Sequence, residues 1–187
     1  MKQLNKKILL SSILATISLV AVASQITATV GISETPTTDF STSNDSITDS
    51  KTGLVWQRCL VGQTFDGTVC TGTATTFTDF DSALSNTKDG WRLPTIKELS
   101  SLADHNVANP AINTQVHQFT NGIDFATNKN LALWSSTPIA TPARSWGTPT
   151  YKSYAFKLSN GEPKATERGT GKAWGVEAKY VLLVKSS

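Results

Sequence analysis

The chain has 187 residues, 39% of them hydrophobic, with 17 Lys or Arg against 14 Asp or Glu and a formal net charge of +3. That length is enough for one domain with a hydrophobic core. Three lysines in the first seven positions account for the excess positive charge. The rest of the chain is neutral as a whole, which excludes nucleic acid binding through a general positive charge.

The first 24 residues have the pattern of an export signal. The lysines are followed by an apolar run over residues 8–22, and small residues suitable for cleavage end at Ala23 or Ser24. We therefore predict a signal peptide over residues 1–24 and a protein that lies in the periplasm or at the cell surface. It would meet the membrane only during export. An uncleaved membrane anchor is the alternative.

The segment that follows is polar. Residues 25–50 are rich in Ser, Thr and Asp and almost free of large apolar residues, which predicts a disordered linker. The folded domain is then expected over residues 51–187.

Patterns of hydrophobic residues and turn signals predict the elements that follow. In chain order they are a strand over 54–59, a helix over 79–88, a short extended stretch over 91–93, a helix over 96–105, a loop over 106–130, a buried strand over 131–137, a loop over 138–150, a strand over 154–158 closed by an Asn-Gly turn, a mobile loop over 162–173 and a final strand over 178–185. This order predicts an α+β fold with two helices packed on a small antiparallel sheet with long loops.

Cys59 and Cys70 are the two cysteines of the chain. In an exported protein an even number of cysteines predicts a disulfide, and closure of this loop contributes roughly 2–3 kcal/mol. The bridge would leave no thiol for catalysis.

The run GWRLPTIKEL at residues 90–99 carries the clearest local signal. Thr95 followed three residues later by Glu98 is a capping box, which predicts a helix that begins at Ile96. Pro94 keeps Leu93 out of the helical region, so the helix is preceded by an extended stretch.

Eight blocks, taken in order, resemble the Lcl C-terminal domain family, which is named after the C-terminal domain of bacterial collagen-like adhesins. They read TGLVWQRC, GTVCTGTA, FDSAL, GWRLPTIKEL, NPAIN, LWSST, NGE and KYVLLVK and cover residues 50–185. The structural motif residues of this resemblance are Trp91, Arg92, Leu93, Pro94, Thr95, Glu98, Trp134, Ser135 and Ser136. The resemblance implies a C-type-lectin-like fold, distantly similar to formylglycine-generating enzymes. It also implies a place in the bacterial periplasm or on the cell surface, and the adhesin branch is implicated in binding sulfated glycans.

The polar residues do not indicate an enzyme. His105 and His117 are the two histidines, too few for a zinc site, and no nucleotide-binding or G-x-S-x-G motif occurs. Ser135 and Ser136 have no base that can be named and are interpreted as hydroxyls that bond to backbone. We predict no catalytic residue, no cofactor and no metal, with a cation held by Asp and Asn of residues 121–130 as a weaker alternative.

Charge is unevenly distributed in the rest of the chain. Residues 24–139 hold six Lys or Arg and eleven Asp or Glu, whereas residues 140–187 hold eight and three. Trp56, Trp91 and Trp134 are assigned to the core. The candidate ligand-binding residues come from two late loops and are Arg144, Trp146, Lys152, Lys164, Arg168, Lys172 and Trp174.

These features predict an exported, non-catalytic binding domain that recognises a sulfated or otherwise anionic glycan or envelope polymer. The alternative is a structural or protein-interaction module of the bacterial envelope, an accessory subunit with an envelope protein as its partner. Two plainer interpretations stay open for the late loops: charges scattered over solvated surface, and tryptophans that plug the core.

Overall fold

The computed structural model describes residues 32–120, 123–125, 131–140, 151–169 and 177–187. Within these ranges, no helix has both the length and the apolar character needed to cross a bilayer. The predicted signal peptide lies outside the described residues.

Short strands dominate the fold. They are β1 (Phe40–Thr42), β2 (Ser46–Asp49), β3 (Leu54–Gln57), β4 (Thr64–Phe65), β5 (Cys70–Thr71), β6 (Ala132–Ile139), β7 (Lys152–Lys157), β8 (Pro163–Glu167) and β9 (Val184–Ser186). The helices are α1 (Phe80–Leu84) and α2 (Ile96–Ser100), and short 3-10 turns lie at Thr37–Asp39 and Gln118–Thr120. Small antiparallel sheets with two short helices confirm the predicted α+β class.

The first sheet has the strand order β1-β2-β3-β9. Ile47, Trp56 and Val184 are paired across it and are all fully buried. The prediction of a disordered linker over residues 25–50 is therefore wrong for residues 40–49, which form β1 and β2. These strands contain few apolar residues. β2 is stabilised by pairing with β3, and β1 by pairing with β2.

The second sheet has the order β6-β7-β8. β8 occupies five of the twelve residues that the sequence predicts as a mobile loop over residues 162–173, so that prediction is wrong for residues 163–167. β8 is an edge strand with alternating exposure, in which Glu167 is exposed and Lys164 is partly buried. The Asn160-Gly161 turn before it is present, with φ of +73° at Gly161.

Residues 179–184, which we call the shared segment, connect the two sheets. Tyr180 pairs with Leu133 of β6 in parallel, and Val184 pairs with Trp56 of β3. Its side chains alternate between two hydrophobic clusters: Tyr180, Leu182 and Val184 pack into a large cluster, Val181 and Leu183 into a small one. The predicted final strand is thus divided between two sheets.

The two clusters lie on opposite faces of the second sheet. Leu133 belongs to the large cluster and its neighbour Trp134 to the small one, and neighbouring residues of a strand point to opposite faces. Trp56 and Trp134 are fully buried as predicted, whereas Trp91 is only half-buried against the small cluster.

Both helices are shorter than predicted. α1 begins after Asp79, which caps the helix because its carboxylate accepts from the Ser82 N–H at 2.7 Å. It ends early because the Asn86 side chain donates to the carbonyl of Ser82. α2 ends at Ser100, where the Ser101 hydroxyl donates to the Glu98 carbonyl at 2.7 Å.

Candidate functional site

The predicted disulfide is present. Cys59 and Cys70 are bonded, with an S–S distance of 2.00 Å, and close a loop that contains β4. Both cysteines of the chain are used, so the protein has no free thiol.

The GWRLPTIKEL run forms the predicted capping box. The Thr95 hydroxyl accepts from the Glu98 N–H at 3.3 Å, and the Glu98 carboxylate accepts from the Thr95 N–H at 2.7 Å. Arg92 donates two bonds to the same carboxylate, at 2.6 and 2.9 Å. These bonds, with that of Arg92 foremost, lower the pKa of Glu98 to about 2.

The LWSST block is bonded to this run. Ser136 donates its N–H to the Pro94 carbonyl at 2.8 Å and its hydroxyl to the same oxygen at 3.2 Å. The Thr137 hydroxyl accepts from the Ile96 N–H at 2.8 Å, and the buried Ser135 hydroxyl accepts from the Thr137 N–H. The interpretation of both serines as backbone-bonding hydroxyls is confirmed, and the two motifs form one structural junction.

Four of the seven candidate ligand-binding residues lie outside the described residues: Arg144, Trp146, Lys172 and Trp174. The other three are Lys152 on β7, Lys164 on β8 and Arg168 directly after β8.

Strand register separates two of these three cations. Lys152 lies opposite Glu167, and Lys164 lies opposite Ala155. Because Lys152 and Ala155 are an odd number of residues apart on β7, their side chains point to opposite faces of the sheet. Lys152 and Lys164 therefore do not belong to one face, and Lys164 is further paired with Glu177 at 2.6 Å.

Arg168 is held in a fixed position. Its Nε donates to the Ser153 hydroxyl at 2.7 Å, and its guanidinium lies 4.2 Å from the centroid of the Phe80 ring. Ser153 and Ala155 share a face of β7, so Arg168 lies on the same side of the sheet as Lys164.

A third cation on that side, Lys179, was missed from the sequence. It is almost completely buried, its ammonium lies 4.5 Å from the centroid of the Trp134 ring, and it donates to the Glu177 carbonyl at 2.8 Å. Burial lowers the pKa of Lys179 to about 8, opposed by the charge of Glu177. No local sequence pattern predicts that a lysine is buried. The apolar residues that follow Lys179 in the run AKYVLLVK are the one signal that could have indicated it.

The histidines do not form a metal site. His105 is exposed beside Glu34, with 2.9 Å between Nδ1 and the carboxylate, whereas His117 is fully buried between Phe40 and Phe119. Across the described ranges, no group of three or more His, Cys, Asp or Glu could hold a metal ion. Most of the proposed cation segment over residues 121–130 lies outside those ranges.

A cleft of about 460 Å³ opens beside the disulfide loop, and we call it the disulfide cleft. Gln57, Arg58 and Gln63 contribute to it from β3 and the disulfide loop. Asn86, which follows α1, and Trp91, the first residue of the WRLP motif, also contribute to it. Sequence reasoning did not find it, because the residues that line it are far apart along the chain.

The fold and its junction define a class: a disulfide-bonded α+β domain whose WRLP and WSST motifs fasten a short helix to a three-stranded sheet. Residues 45–179 match the family model of the Lcl C-terminal domain, so the chain belongs to this family. Neither a curated protein nor a solved structure matches the chain significantly.

Proposed function

We propose that this protein is an exported, non-catalytic domain with a C-type-lectin-like fold that binds a sulfated or otherwise anionic glycan or envelope polymer. Its two helices, packed against antiparallel sheets, and its late β7–β8 hairpin support the lectin-like comparison. The disulfide supports export, because such bonds persist in oxidising compartments.

The geometry of Arg168 is the observation that carries the proposal. Ser153 and Phe80 fix the guanidinium, and no described residue is bonded to its two terminal nitrogens. A guanidinium held in this way presents a planar pair of donors that matches a sulfate or a carboxylate. Lys164 and Lys179 lie on the same side of the sheet, with Glu177 as their shared acidic neighbour.

Salt dependence tests the proposal. Binding of the full chain is measured on an array of neutral and sulfated glycans at low and moderate salt, and retention is measured on a heparin column. Binding through basic side chains weakens as salt rises, because exposed charges are screened. Binding that is strong and insensitive to salt would contradict the proposal and favour an apolar interface with an envelope protein.

Matched charge reversals locate the site. We expect the triple variant R144E/R168E/K172E to lose heparin retention, whereas K88E/K97E/K129E, with the same change in charge, keeps most of it. The single variant Arg168→Lys keeps the charge but removes the planar pair of donors, and we expect about tenfold weaker binding. Equal retention of both triple variants would overturn the assignment to the late loops.

Export has its own measurement. Mass spectrometry of the protein recovered outside the cytoplasm should show a product that lacks residues 1–24. A product of full length would favour the uncleaved anchor instead.

A further inference from the structure

We propose that the disulfide cleft is a second binding site and that it takes a neutral saccharide unit. This proposal does not depend on the late basic loops, because it uses other residues and another ligand chemistry. It rests on which polar atoms of the cleft are already bonded and which are free.

The terminal nitrogens of Arg58, the more buried cation of the cleft, are engaged by the protein itself. The guanidinium of Arg58 lies 3.7 Å from the centroid of the Phe65 ring, and its two terminal nitrogens donate to the Ser43 carbonyl and to the Gln118 side chain. Lys88 is exposed at the rim and lies 3.8 Å from the Asp89 carboxylate.

Acidic residues balance these cations. Asp45 and Asp89 line the cleft together with Arg58 and Lys88, so its formal charge is zero. A sulfated or carboxylated ligand would meet two carboxylates, and the two terminal nitrogens of Arg58 are already bonded. The cleft therefore differs from the proposed anion site at Arg168.

The unused polar atoms are mixed donors and acceptors. The Gln63 oxygen accepts from the Leu60 N–H, and the Asn86 NH₂ donates to the carbonyls of Ser82 and Ala83. Among the described residues, the Gln63 NH₂, the Asn86 oxygen, the Gln57 side-chain amide and the Trp91 indole N–H have no hydrogen-bond partner.

A ligand rich in hydroxyl groups matches this set. Each hydroxyl both donates and accepts, so it can use free NH₂ groups and free carbonyl oxygens in one site. The half-buried Trp91, whose ring centroid lies 4.6 Å from the Lys185 ammonium, adds apolar surface for the C–H groups of a sugar ring beside that contact. The volume of about 460 Å³ lies within the usual range for small-molecule sites, about 300–1,000 Å³.

The walls of the cleft are fixed before any ligand arrives. A Cβ added at Gly62, where φ is +93°, would lie 2.4 Å from the Thr75 hydroxyl and 2.7 Å from the Thr73 carbonyl, so the disulfide loop packs closely on its neighbour. On the other side, Asp89 and Gly90 have φ of 53° and 81° between the paired residues Lys88 and Trp91. This tight two-residue turn sets the position of Trp91.

The test is an NMR titration of the full chain with maltotriose, cellotriose and triacetylchitotriose, and separately with a heparin-derived tetrasaccharide. We expect at least one neutral probe to shift the Trp91 indole and Gln63 amide signals in a saturable way. The buried indoles of Trp56 and Trp134 serve as internal references that should not move.

Isosteric variants sharpen the result. Gln57→Glu with Gln63→Glu keeps the oxygen that accepts from Leu60 but removes the free NH₂ groups, and we expect at least about tenfold weaker binding of the neutral probe. Gln115→Glu is the matched control, because Gln115 is exposed and outside the cleft, and it should bind like the parent.

Three results would overturn the proposal: no shift with any of the three neutral probes, shifts of the cleft signals with the sulfated probe alone, or unchanged binding by the double variant. The wild-type titration decides the question even if the double variant does not fold. Failure here leaves the heparin result untouched, so the two proposals fail separately.

Discussion

The two hydrophobic clusters each bury one basic side chain, and the two side chains differ in their hydrogen-bond partners and in their charge. In the large cluster His117 packs between Phe40 and Phe119, and neither ring nitrogen has a hydrogen-bond partner among the described residues. In the small cluster Lys179 has the Glu177 carbonyl at 2.8 Å and the Trp134 ring at 4.5 Å.

The two side chains differ in charge at neutral pH. Burial lowers the pKa of His117 to about 4, with only partial opposition from Asp49, so this residue is neutral. Burial lowers the pKa of Lys179 by a similar amount, from 10.5 to about 8, so this residue stays charged. The difference in charge therefore follows from the higher ordinary pKa of a lysine side chain, because burial disfavours the charged form of both bases.

Removal of a large aromatic ring from either cluster should have the largest effect on stability. We expect Trp134→Ala in the small cluster and Phe119→Ala in the large one each to lower the free energy of unfolding by about 3–5 kcal/mol, through lost burial and a residual cavity. Urea denaturation followed by circular dichroism measures this. Because the shared segment belongs to both clusters, unfolding should stay a single transition in both variants, and two separate transitions would contradict that coupling.

The pH profile of stability tests His117. Its folded pKa is below the unfolded value of about 6.5, so the unfolded state binds more protons between pH 6.5 and 4, and stability falls as pH falls through that window. The expected loss from pH 7 to pH 4 is about 3 kcal/mol. His117→Leu should remove it. His105→Gln, at the other and exposed histidine, is the control and should keep the acid loss.

Lys179 should act at the alkaline end. Its folded pKa is also lowered, so stability rises from pH 8 towards 10.5, where the unfolded side chain still holds its proton and the folded one does not. We expect a rise of about 2 kcal/mol that Lys179→Met abolishes. The difference between the parent and variant curves isolates this group from the tyrosines. A variant curve that runs parallel to that of the parent would refute the assignment.

Glu98, unlike His117, is a charged group that is hydrogen-bonded to several partners. We expect its removal to change the free energy of unfolding by a smaller amount. Glu98→Gln keeps the shape of the side chain but weakens the bonds with Arg92, and we expect a loss of about 1–2 kcal/mol. In the parent, the stability from Glu98 is present above pH 4.5 and is lost as pH falls towards 2, below the His117 window. Glu167→Gln, at an exposed carboxylate of β8, should change little.

Local chemistry made part of the fold predictable. The capping box of Thr95 and Glu98 depends on residues three apart, and the disulfide depends on the pairing of two cysteines, so both could be predicted from short spacings. The family followed from several motif blocks in order, which the match over residues 45–179 confirms.

The remaining parts of the fold and of the candidate sites depend on pairing between segments that are distant along the chain, so the sequence did not predict them. β2 is a polar strand that pairs with β3, β1 pairs with β2, and β8 pairs with β7, so none of these strands stands out by composition. The disulfide cleft combines Asp45, Gln63 and Trp91, which no spacing rule connects. The burial of Lys179 likewise depends on Trp134, a residue of another strand.

The shared segment also determines whether the domain can fold. It supplies side chains to both hydrophobic clusters and backbone partners to both sheets, and it follows all the other strands except β9 along the described chain. A chain that ends at residue 170 contains every described strand except β9. Both of its hydrophobic clusters lack the side chains that the shared segment contributes. We therefore expect a chain that lacks the shared segment to leave both hydrophobic clusters incomplete and to remain unfolded.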